Sequence, residues 1–229
     1  GVLADLGAAA EAAGLPSVAR DVRETRLPKL DDERFTIVVL GEFNHGKSTF
    51  INALLGRPVL PTGITPTTAV LAHISQGAKE GATLVFESGE RKAIDVKKLG
   101  DWLTVEGLAG HVKAGESLHH VEITNPAAIL GERVTIVDTP GVNDINEQRA
   151  EITYGYLPRA DAVLFLLDGA QVLKQSERAF LEQRILRRSK DKLIFILGKV
   201  DLLAPEERVD LVRLLVERER EIRAFKATE

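Results

Sequence analysis

The sequence predicts an α/β fold in which helices cover both faces of a mostly parallel central sheet. Short apolar runs rich in β-branched residues alternate with helical patterns through most of the 229-residue chain, which is typical of parallel sheets. A glycine-containing loop and a single aspartate each directly follow one of these apolar runs, at the edge where open α/β sheets bind ligands. Helical patterns before the first strand add N-terminal helices to the prediction.

The composition limits the class of protein. The chain is 44% hydrophobic and 28% charged, which is ordinary for a globular protein. A net charge of −4 argues against a broad basic surface, so we expect no nucleic-acid partner. The absence of cysteine excludes disulfides, thiolate metal sites and a cysteine nucleophile. No apolar run reaches the roughly 18 residues that would span a membrane, and no signal-peptide pattern is present.

Residues 1–34 are predicted to form two helices. Apolar residues recur at helical spacing until Gly14-Leu15-Pro16 interrupts the pattern. A second helix is predicted from Pro16 to Arg26, because proline suits the first turn of a helix. We expect this segment to bury its apolar stripe on its own domain, with binding to a partner as the alternative.

A phosphate loop is predicted after the first strand, Phe35–Leu40. The loop Gly41-Glu42-Phe43-Asn44-His45-Gly46-Lys47-Ser48 fits the pattern G-x-x-x-x-G-K-[ST]. A helix predicted over residues 48–55 follows and is closed by Gly56. The free amides and the dipole of its N-terminus favour phosphate. We expect Lys47 to reach the β and γ phosphates and the Ser48 hydroxyl to bind Mg²⁺.

The rest of the chain alternates between loops, strands and helices. Residues 57–68 contain three prolines and four threonines and therefore predict a loop. Acidic residues in its first turn support the last helix, which begins at Pro205. The remaining apolar patterns predict strands over residues 69–74, 82–87, 118–124, 133–137, 162–167 and 192–197, and helices within residues 94–114, 142–158 and 176–188.

Asp138 directly follows the apolar run Val134–Val137, which places a carboxylate at the C-terminal end of a buried strand. We expect this carboxylate to hold Mg²⁺ through water and the Gly141 amide to bond the γ-phosphate. An aspartate that caps the turn before Pro140 is the alternative. The phosphate loop earlier in the chain favours the metal-binding role.

These segments resemble the GTPase domain of the dynamin family, in particular its bacterial dynamin-like branch. Leu40–Leu55 is similar to the family's phosphate loop, and the segments Val59–Ile64 and Pro66–Val70 are similar to its first switch. Asp138-Thr139-Pro140-Gly141-Val142-Asn143-Asp144 is similar to its second switch. Thr68 lies 21 residues after Lys47, at the family's spacing for the switch threonine.

The resemblance covers roughly residues 35–203 and implies a P-loop NTPase fold. Residues 1–34 are expected to begin the family's helical stalk or bundle. Residues 35–229 are expected to form a dynamin-type GTPase domain that is C-terminally incomplete, because a final strand and a closing helix do not follow the helix from Pro205. The absence of methionine is consistent with a fragment of a longer protein.

The resemblance also implies roles for individual residues. Catalytic roles are expected for Lys47, Thr68 and Asn44. Nucleotide binding is expected for Gly41, Asn44, His45, Gly46, Lys47, Ser48, Thr49, Gly141, Lys199 and Asp201. Magnesium binding is expected for Ser48, Thr68 and Asp138.

Lys199 and Asp201 stand where GTPases carry the base-reading motif [NT]-K-x-D, but Gly198 replaces its first residue. An aspartate can accept two N–H bonds from guanine, which adenine cannot offer, and the lysine stem can cover the base. We therefore expect selectivity for guanine that is looser than usual, because one contact that braces the loop is lost.

Asn44 lies three residues before Lys47, like the asparagine of GTPases that monovalent cations activate. It is a candidate K⁺ ligand, although an asparagine that tolerates a left-handed turn is an equal alternative. Val142 occupies the place where Ras-type enzymes orient water with glutamine. The resemblance therefore implies that a homodimer or larger homo-oligomer completes the site across the nucleotide face.

The function implied is a domain that binds GTP and GDP, hydrolyses GTP with Mg²⁺, and drives membrane remodelling in the full-length protein. The implied location is cytoplasmic, with peripheral association at the inner membrane surface through parts missing from this chain. The alternatives are a translation or RNA-modification GTPase and a nucleotide-dependent switch with little turnover. His73, His111, His119 and His120 show no metal-binding pattern, and His119 and His120 are expected on opposite faces of a strand.

Overall fold

The structure is a computed structural model that describes residues 2–27, 34–63, 68–111, 117–141, 153, 155–171, 174–185 and 190–224. The chain divides into two compact units, Gly1–Phe35 and Thr36–Glu229. Several predicted features lie outside the described residues: most of the helix within 142–158, the switch residues 64–67 and 142–144, and the chain beyond Ala224.

The first unit consists of short helices. Helix α1 spans Val2–Ala12 and helix α2 spans Pro16–Asp21, which continues as a π-helical turn over Val22–Arg26. Pro16 stands in the first turn of α2 and Gly14 adopts a left-handed φ of 71°, so both residues act as the sequence predicts. The two predicted helices are confirmed.

The second unit is built on an eight-stranded sheet in the order β4-β3-β5-β2-β6-β1-β7-β8. The strands are β1 Phe35–Leu40, β2 Leu71–Gln76, β3 Gly81–Phe86, β4 Arg91–Ile94, β5 Leu118–Asn125, β6 Val134–Asp138, β7 Ala162–Asp168 and β8 Leu193–Gly198. The helices are α3 Lys47–Leu55, α4 Leu99–Leu103, α5 Val105–His111, α6 Gln175–Phe180 with a π-helical continuation over Leu181–Ile185, and α7 Pro205–Ala224. Short 3-10 turns span Val96–Lys98, Ala128–Leu130, Leu157–Arg159, Lys190–Lys192 and Val200–Leu202.

The α/β class is confirmed, and the sheet is mixed. Strand β7 is parallel to both β1 and β8, and β2 is parallel to β5. Strand β3 is antiparallel to β4 and β5, and β2 is antiparallel to β6. The turn between β3 and β4, in which Gly89 has a φ of 85°, is too short for the crossover that parallel strands require.

Side chains alternate between two cores on the opposite faces of the sheet. On β1, Val39 packs in a core that includes Ile51 of α3, whereas Val38 packs in a second core. The second core also contains Phe165 of β7 and Phe180 of α6. Because successive strand residues face opposite sides, helices cover both faces of the sheet, as predicted. No helix among the described residues combines the length and the apolar character needed to cross a bilayer.

A β-bulge in β5 overturns one expectation about the histidines. Val85 pairs with His120 and Phe86 pairs with Leu118, so the ladder skips His119. An extra residue in one strand breaks the alternation of faces. The two rings therefore contact each other, with 2.6 Å between their Nδ1 atoms, and the prediction that His119 and His120 point to opposite faces is wrong.

Candidate nucleotide-binding site

The phosphate loop connects β1 to α3 through three residues with positive φ. Gly41 has a φ of 152°, Asn44 of 63° and Gly46 of 84°. A Cβ on Gly41 would lie 2.8 Å from the Leu166 carbonyl oxygen, so a larger residue would push the loop away from β7. Gly46 immediately precedes the first turn of α3. The glycines therefore let the backbone turn tightly enough to aim the helix N-terminus at a ligand.

Lys47 is buried within this loop. Its Nζ donates hydrogen bonds to the carbonyl oxygens of Gly41 and Glu42, each at 3.0 Å. Both bonds fold the ammonium group back over the loop. Its positive charge therefore lies beside the cleft that Lys47 helps to line. Phosphate oxygens are acceptors of the same kind as these carbonyls, so the ammonium can exchange one for the other.

Two hydroxyl groups converge on the carboxylate of Asp138. Ser48, in the first turn of α3, donates from Oγ to Asp138 Oδ2 at 2.9 Å, and Thr68 donates from Oγ1 to the same oxygen at 3.1 Å. The two hydroxyl oxygens are 3.4 Å apart. Three residues from distant parts of the chain, Ser48, Thr68 and Asp138, thus place three oxygens around one point, and magnesium binding by them stays a prediction.

This oxygen cluster fits a magnesium ion. Hard divalent cations prefer carboxylate and hydroxyl oxygens. Among the described residues, the buried Oδ1 of Asp138 has no hydrogen-bond partner of good geometry. Burial raises the pKa of Asp138, although the nearby Lys47 ammonium opposes that effect. A cation bound beside the carboxylate would reverse the effect of burial and supply the missing partner.

The segment after β6 packs directly against the phosphate loop. Thr139 donates from Oγ1 to the Val39 carbonyl oxygen at 2.8 Å. A Cβ on Gly141 would lie 2.9 Å from the Phe43 amide nitrogen, so glycine allows the two loops to meet. The cleft between the loops is lined by Phe43, Asn44, Gly46, Lys47, Ser48, Thr49, Thr62, Gly63, Thr68 and Gly141.

The candidate base-reading segment follows β8, which lies beside β7. Lys199 donates from Nζ to Asp168 Oδ2 at 2.7 Å and has a left-handed φ of 55°. Partial burial raises the pKa of Asp168, but the bonds from Lys199 and from the Ala170 amide outweigh burial and lower it overall. Asp201 is exposed in the turn that follows. Its carboxylate is therefore accessible to a base.

Behind the phosphate loop lies a buried cluster that the sequence reasoning missed. Glu42 and His45 of the loop meet Glu177, in the first turn of α6. The Ser176 hydroxyl donates to Glu42 Oε1 at 2.6 Å, and the Lys174 amide donates to Glu177 Oε2 at 2.9 Å. The spacing of Lys174 and Glu177 resembles a helix capping box and could have indicated the second bond. No sequence signal indicated the contact with the loop.

The His45 side chain belongs to this cluster and points away from the cleft. Its Nδ1 donates to the Leu166 carbonyl oxygen at 3.2 Å, because a carbonyl can only accept. Nδ1 also lies 3.3 Å from Glu177 Oε1, and Nε2 lies 3.8 Å from Glu42 Oε2. The three side chains could offer ligand atoms within 4.8 Å of one another. The Lys174 ammonium, 3.6 Å from Glu42 Oε2, favours a brace between loop and helix over a cation site.

Glu177→Gln tests this brace through the pH dependence of stability. Burial raises the pKa of Glu177 from 4.5 to about 7, so the folded chain keeps a proton that the unfolded chain has released. The stabilisation that this retained proton provides is complete below 4.5, the pKa of Glu177 in the unfolded chain. It is lost as the pH rises through the folded-state pKa of about 7. From about pH 6.5 to about pH 8 we expect the free energy of unfolding to fall by on the order of 1 kcal/mol in the wild type. Glu177→Gln should remove that fall, as measured by urea denaturation.

The pH window also separates Glu177 from its neighbour. Burial lowers the pKa of His45. The contribution of neutral His45 to the free energy of unfolding is therefore present above about pH 6.5 and is lost only as the pH falls. Glu182→Gln, one turn further along the same helical segment, is the matched control and should retain the wild-type slope. An unchanged slope in Glu177→Gln would contradict the assignment.

Comparison with known proteins identifies the family. The model of the dynamin family matches residues 37–200, which is more than half of the chain. The match begins within β1 and ends just after β8, so it includes the phosphate loop, Thr68, Asp138 and Lys199. It therefore contains the complete site described above except Asp201.

Several curated relatives are at least 30% identical to the chain, and three of them illustrate the match. An uncharacterised protein of Caldicellulosiruptor is 34% identical over 184 residues, which cover 80% of this chain and 44% of that protein. The bacterial dynamin-like protein of Nostoc punctiforme is 30% identical over 181 residues, which cover 75% of this chain and 26% of that protein. A probable transmembrane GTPase, FZO-like, of Arabidopsis thaliana is 35% identical over 171 residues, which cover 75% of this chain and 16% of that protein. The chain thus spans less than half of each relative.

Solved structures show the same fold. A bacterial dynamin pair, described as oligomerised and as sensing and tethering membranes, has a TM-score of 0.65 at 21% identity and covers 88% of this chain and 31% of its own. Era from Aquifex aeolicus has a TM-score of 0.50 at 17% identity, and the match covers 81% of this chain and 48% of the Era chain. The family match and the sequence relatives agree, and the chain belongs to the dynamin family and carries its GTPase domain.

Proposed function

We propose that this chain binds GTP in the cleft above α3 and hydrolyses it with Mg²⁺. The observation that carries the proposal is the convergence of the Ser48 and Thr68 hydroxyls on the buried Asp138 carboxylate, beside the N-terminus of α3. A site for an anion and a site for a hard cation thus adjoin each other, which is the arrangement that a nucleotide triphosphate with its metal requires.

The chain's own residues would position and neutralise the phosphates. The Lys47 ammonium would leave the Gly41 and Glu42 carbonyls for phosphate oxygens, and the amides at the start of α3 would donate to the same group. Ser48, Thr68 and Asp138 would hold Mg²⁺, which supplies charge neutralisation when bound. Asp201 and Lys199 would contact the guanine base at the end of β8.

Dimerisation across the nucleotide face is the second part of the proposal. The cleft opens beside Phe43, a large apolar side chain that is 41% exposed at the mouth. An exposed aromatic residue beside a catalytic cleft is a typical contact for a second copy. One solved relative is described as an oligomerised pair. The second copy would order the residues that orient the attacking water.

GTP hydrolysis at increasing protein concentration tests both parts. In KCl and MgCl₂ we expect the rate per molecule to rise with concentration, because the dimer is the active form. Measurable hydrolysis whose rate per molecule does not change would contradict the dimer alone. Nucleotide binding without hydrolysis at any concentration would contradict the enzymatic proposal. We further propose that this GTPase domain is coupled to membrane remodelling in the full-length protein, which sedimentation of that protein with liposomes tests.

A potassium ion beside Asn44 is a further part of the proposal. Asn44 is exposed and lines the cleft, and it also has the left-handed φ of 63° that the turn requires. If the amide binds K⁺, hydrolysis in KCl should exceed that in NaCl by about tenfold, the effect of some 1.4 kcal/mol on the barrier. Asn44→Gly should abolish the difference, because glycine keeps the turn but lacks the amide.

Equal rates of the wild type in KCl and NaCl at the same ionic strength would contradict the potassium site. Hydrolysis by Asn44→Gly that still depends on K⁺ would show that only the turn geometry matters at this position.

Gly198→Asn is expected to tighten guanine binding. A Cβ at position 198 would lie 3.4 Å from the His45 carbonyl oxygen and 3.5 Å from that of Leu167, which are ordinary contact distances. An amide there can donate to the phosphate loop and brace the base-reading segment. We expect affinity for GDP to rise by about three- to tenfold, the effect of one hydrogen bond of about 1 kcal/mol. Gly198→Ala is the control, and equal affinities of the two variants would contradict the brace.

A further inference from the structure

Asn52 holds the start of the loop that leads to Thr68. Its side-chain Oδ1 accepts hydrogen bonds from the Val59 amide at 2.9 Å and from the Leu60 amide at 2.8 Å. Its Nδ2 donates to the Leu60 carbonyl oxygen at 2.8 Å. Asn52 is buried in α3, as are its two bonds to Leu60, which limits the access of water to them. One side chain thus grips two consecutive residues of the loop by their backbone.

A backbone hydrogen bond holds the other end of the same loop. The Ala69 amide donates to the Leu103 carbonyl oxygen at 2.7 Å, at the end of α4. Ala69 directly follows Thr68, and its side chain is buried. The two contacts therefore bracket residues 61–68. Within this bracket, Thr62, Gly63 and Thr68 line the nucleotide cleft.

The position of Asn52 in α3 connects this loop to the metal site. Ser48 and Asn52 are four residues apart and therefore lie one turn apart on the same face of the helix. Ser48 reaches the Asp138 carboxylate, and Asn52 reaches the loop that brings Thr68 to that carboxylate. The rigid helix thus fixes the origin of the Thr68 loop relative to the Ser48 hydroxyl.

The geometry points to Asn52 as a positioning residue for the metal-dependent step of GTP hydrolysis. Its three bonds set where the loop leaves the protein core, and Thr62, Gly63 and Thr68 further along this loop line the cleft in which a metal would bind. The inference rests on the proposed function of the cleft. It does not involve phosphate binding itself, because the Lys47 bonds and the N-terminus of α3 do not depend on this clamp.

Asn52→Ala is the test, compared with Leu55→Ala on the same helix. Leu55 is buried in the apolar core, so its truncation lowers stability without removing a bond to the loop. We expect kcat of Asn52→Ala to fall by roughly 10- to 100-fold, because small misplacements in an active site have effects of this size. The Mg²⁺ concentration for half-maximal rate should rise several-fold, while affinity for GDP without Mg²⁺ changes less than about twofold.

Hydrogen exchange measures the clamp independently of catalysis. In the nucleotide-free protein, the Val59 and Leu60 amides should exchange slowly in the wild type and in Leu55→Ala, and much faster in Asn52→Ala. Fast exchange in the wild type would overturn the clamp. A loss of kcat and Mg²⁺ affinity in Leu55→Ala equal to that in Asn52→Ala would overturn the positioning role. A wild type that does not hydrolyse GTP but protects both amides would refute the proposed function and leave Asn52 as a structural clamp only.

Discussion

Lys47→Ala is expected to lower kcat/KM for GTP by roughly 10²- to 10³-fold, the effect of removing one preorganised donor from a buried site. The Lys47 ammonium is the buried positive charge closest to the place that phosphate would occupy, and it already bonds two loop carbonyls at 3.0 Å. Alanine would leave both carbonyls without this donor and the γ-phosphate without its counter-charge. Steady-state phosphate release measures the effect.

The control for this prediction is Lys97→Ala. Lys97 is exposed in the turn before α4, and the same change of charge there should leave kcat/KM unchanged. Thermal melting of both variants should show folded proteins. If Lys47→Ala hydrolysed GTP within about tenfold of the wild type, the role assigned to this lysine would be wrong.

Asp138→Asn is expected to abolish Mg²⁺-dependent hydrolysis while increasing stability in EDTA. Several kcal/mol of charge stabilisation depend on the cation, so kcat should fall by about 10²-fold or more. Burial raises the pKa of Asp138, which means that the fold without a cation penalises the ionised carboxylate. The amide is neutral, and its oxygen can still accept the bonds from Ser48 and Thr68. The melting temperature at about pH 8 should therefore rise.

Asp161→Asn is the control for this second prediction. Asp161 precedes β7 and accepts a hydrogen bond from the Thr36 amide at 2.9 Å, far from the phosphate loop in sequence. Its replacement should leave Mg²⁺-dependent hydrolysis intact. A melting temperature of Asp138→Asn in EDTA below that of the wild type would contradict the conclusion that the buried, ionised carboxylate destabilises the fold.

The sequence predicts the strands and helices around the site well because local patterns specify them. The run Phe35–Leu40 and the loop after it contain both the strand signal and the turn glycines, so β1 and α3 follow directly. The apolar pattern does not predict strand β4, because Arg91–Ile94 has little apolar character and is identified as a strand by its pairing with β3. The antiparallel pairing of β2 with β6 joins segments about 60 residues apart, and periodicity contains no information on such pairing.

The site could be predicted to the extent that each residue stands next to a recognisable element. Ser48 and Asp138 stand at the ends of such elements, and the structure brings them within 2.9 Å of each other. The cluster of Glu42, His45 and Glu177 could not be predicted, because its members join a loop to a helix that begins 130 residues later along the chain. The roles of Asn44, Lys199 and Asp201 stay predictions until nucleotide binding is measured.

The anchor at Leu103 has a consequence for observing the protein at work. The residue before it, Trp102, is the one tryptophan of the chain and is 8% exposed. Its indole lies 5.2 Å from the His111 ring between centroids. Any rearrangement of Thr68 that pulls on the Ala69–Leu103 bond would shift α4 and change the environment of this indole. The chain therefore contains an intrinsic fluorophore one residue from the contact that holds the end of the Thr68 loop, and we expect its emission to report nucleotide exchange without a label.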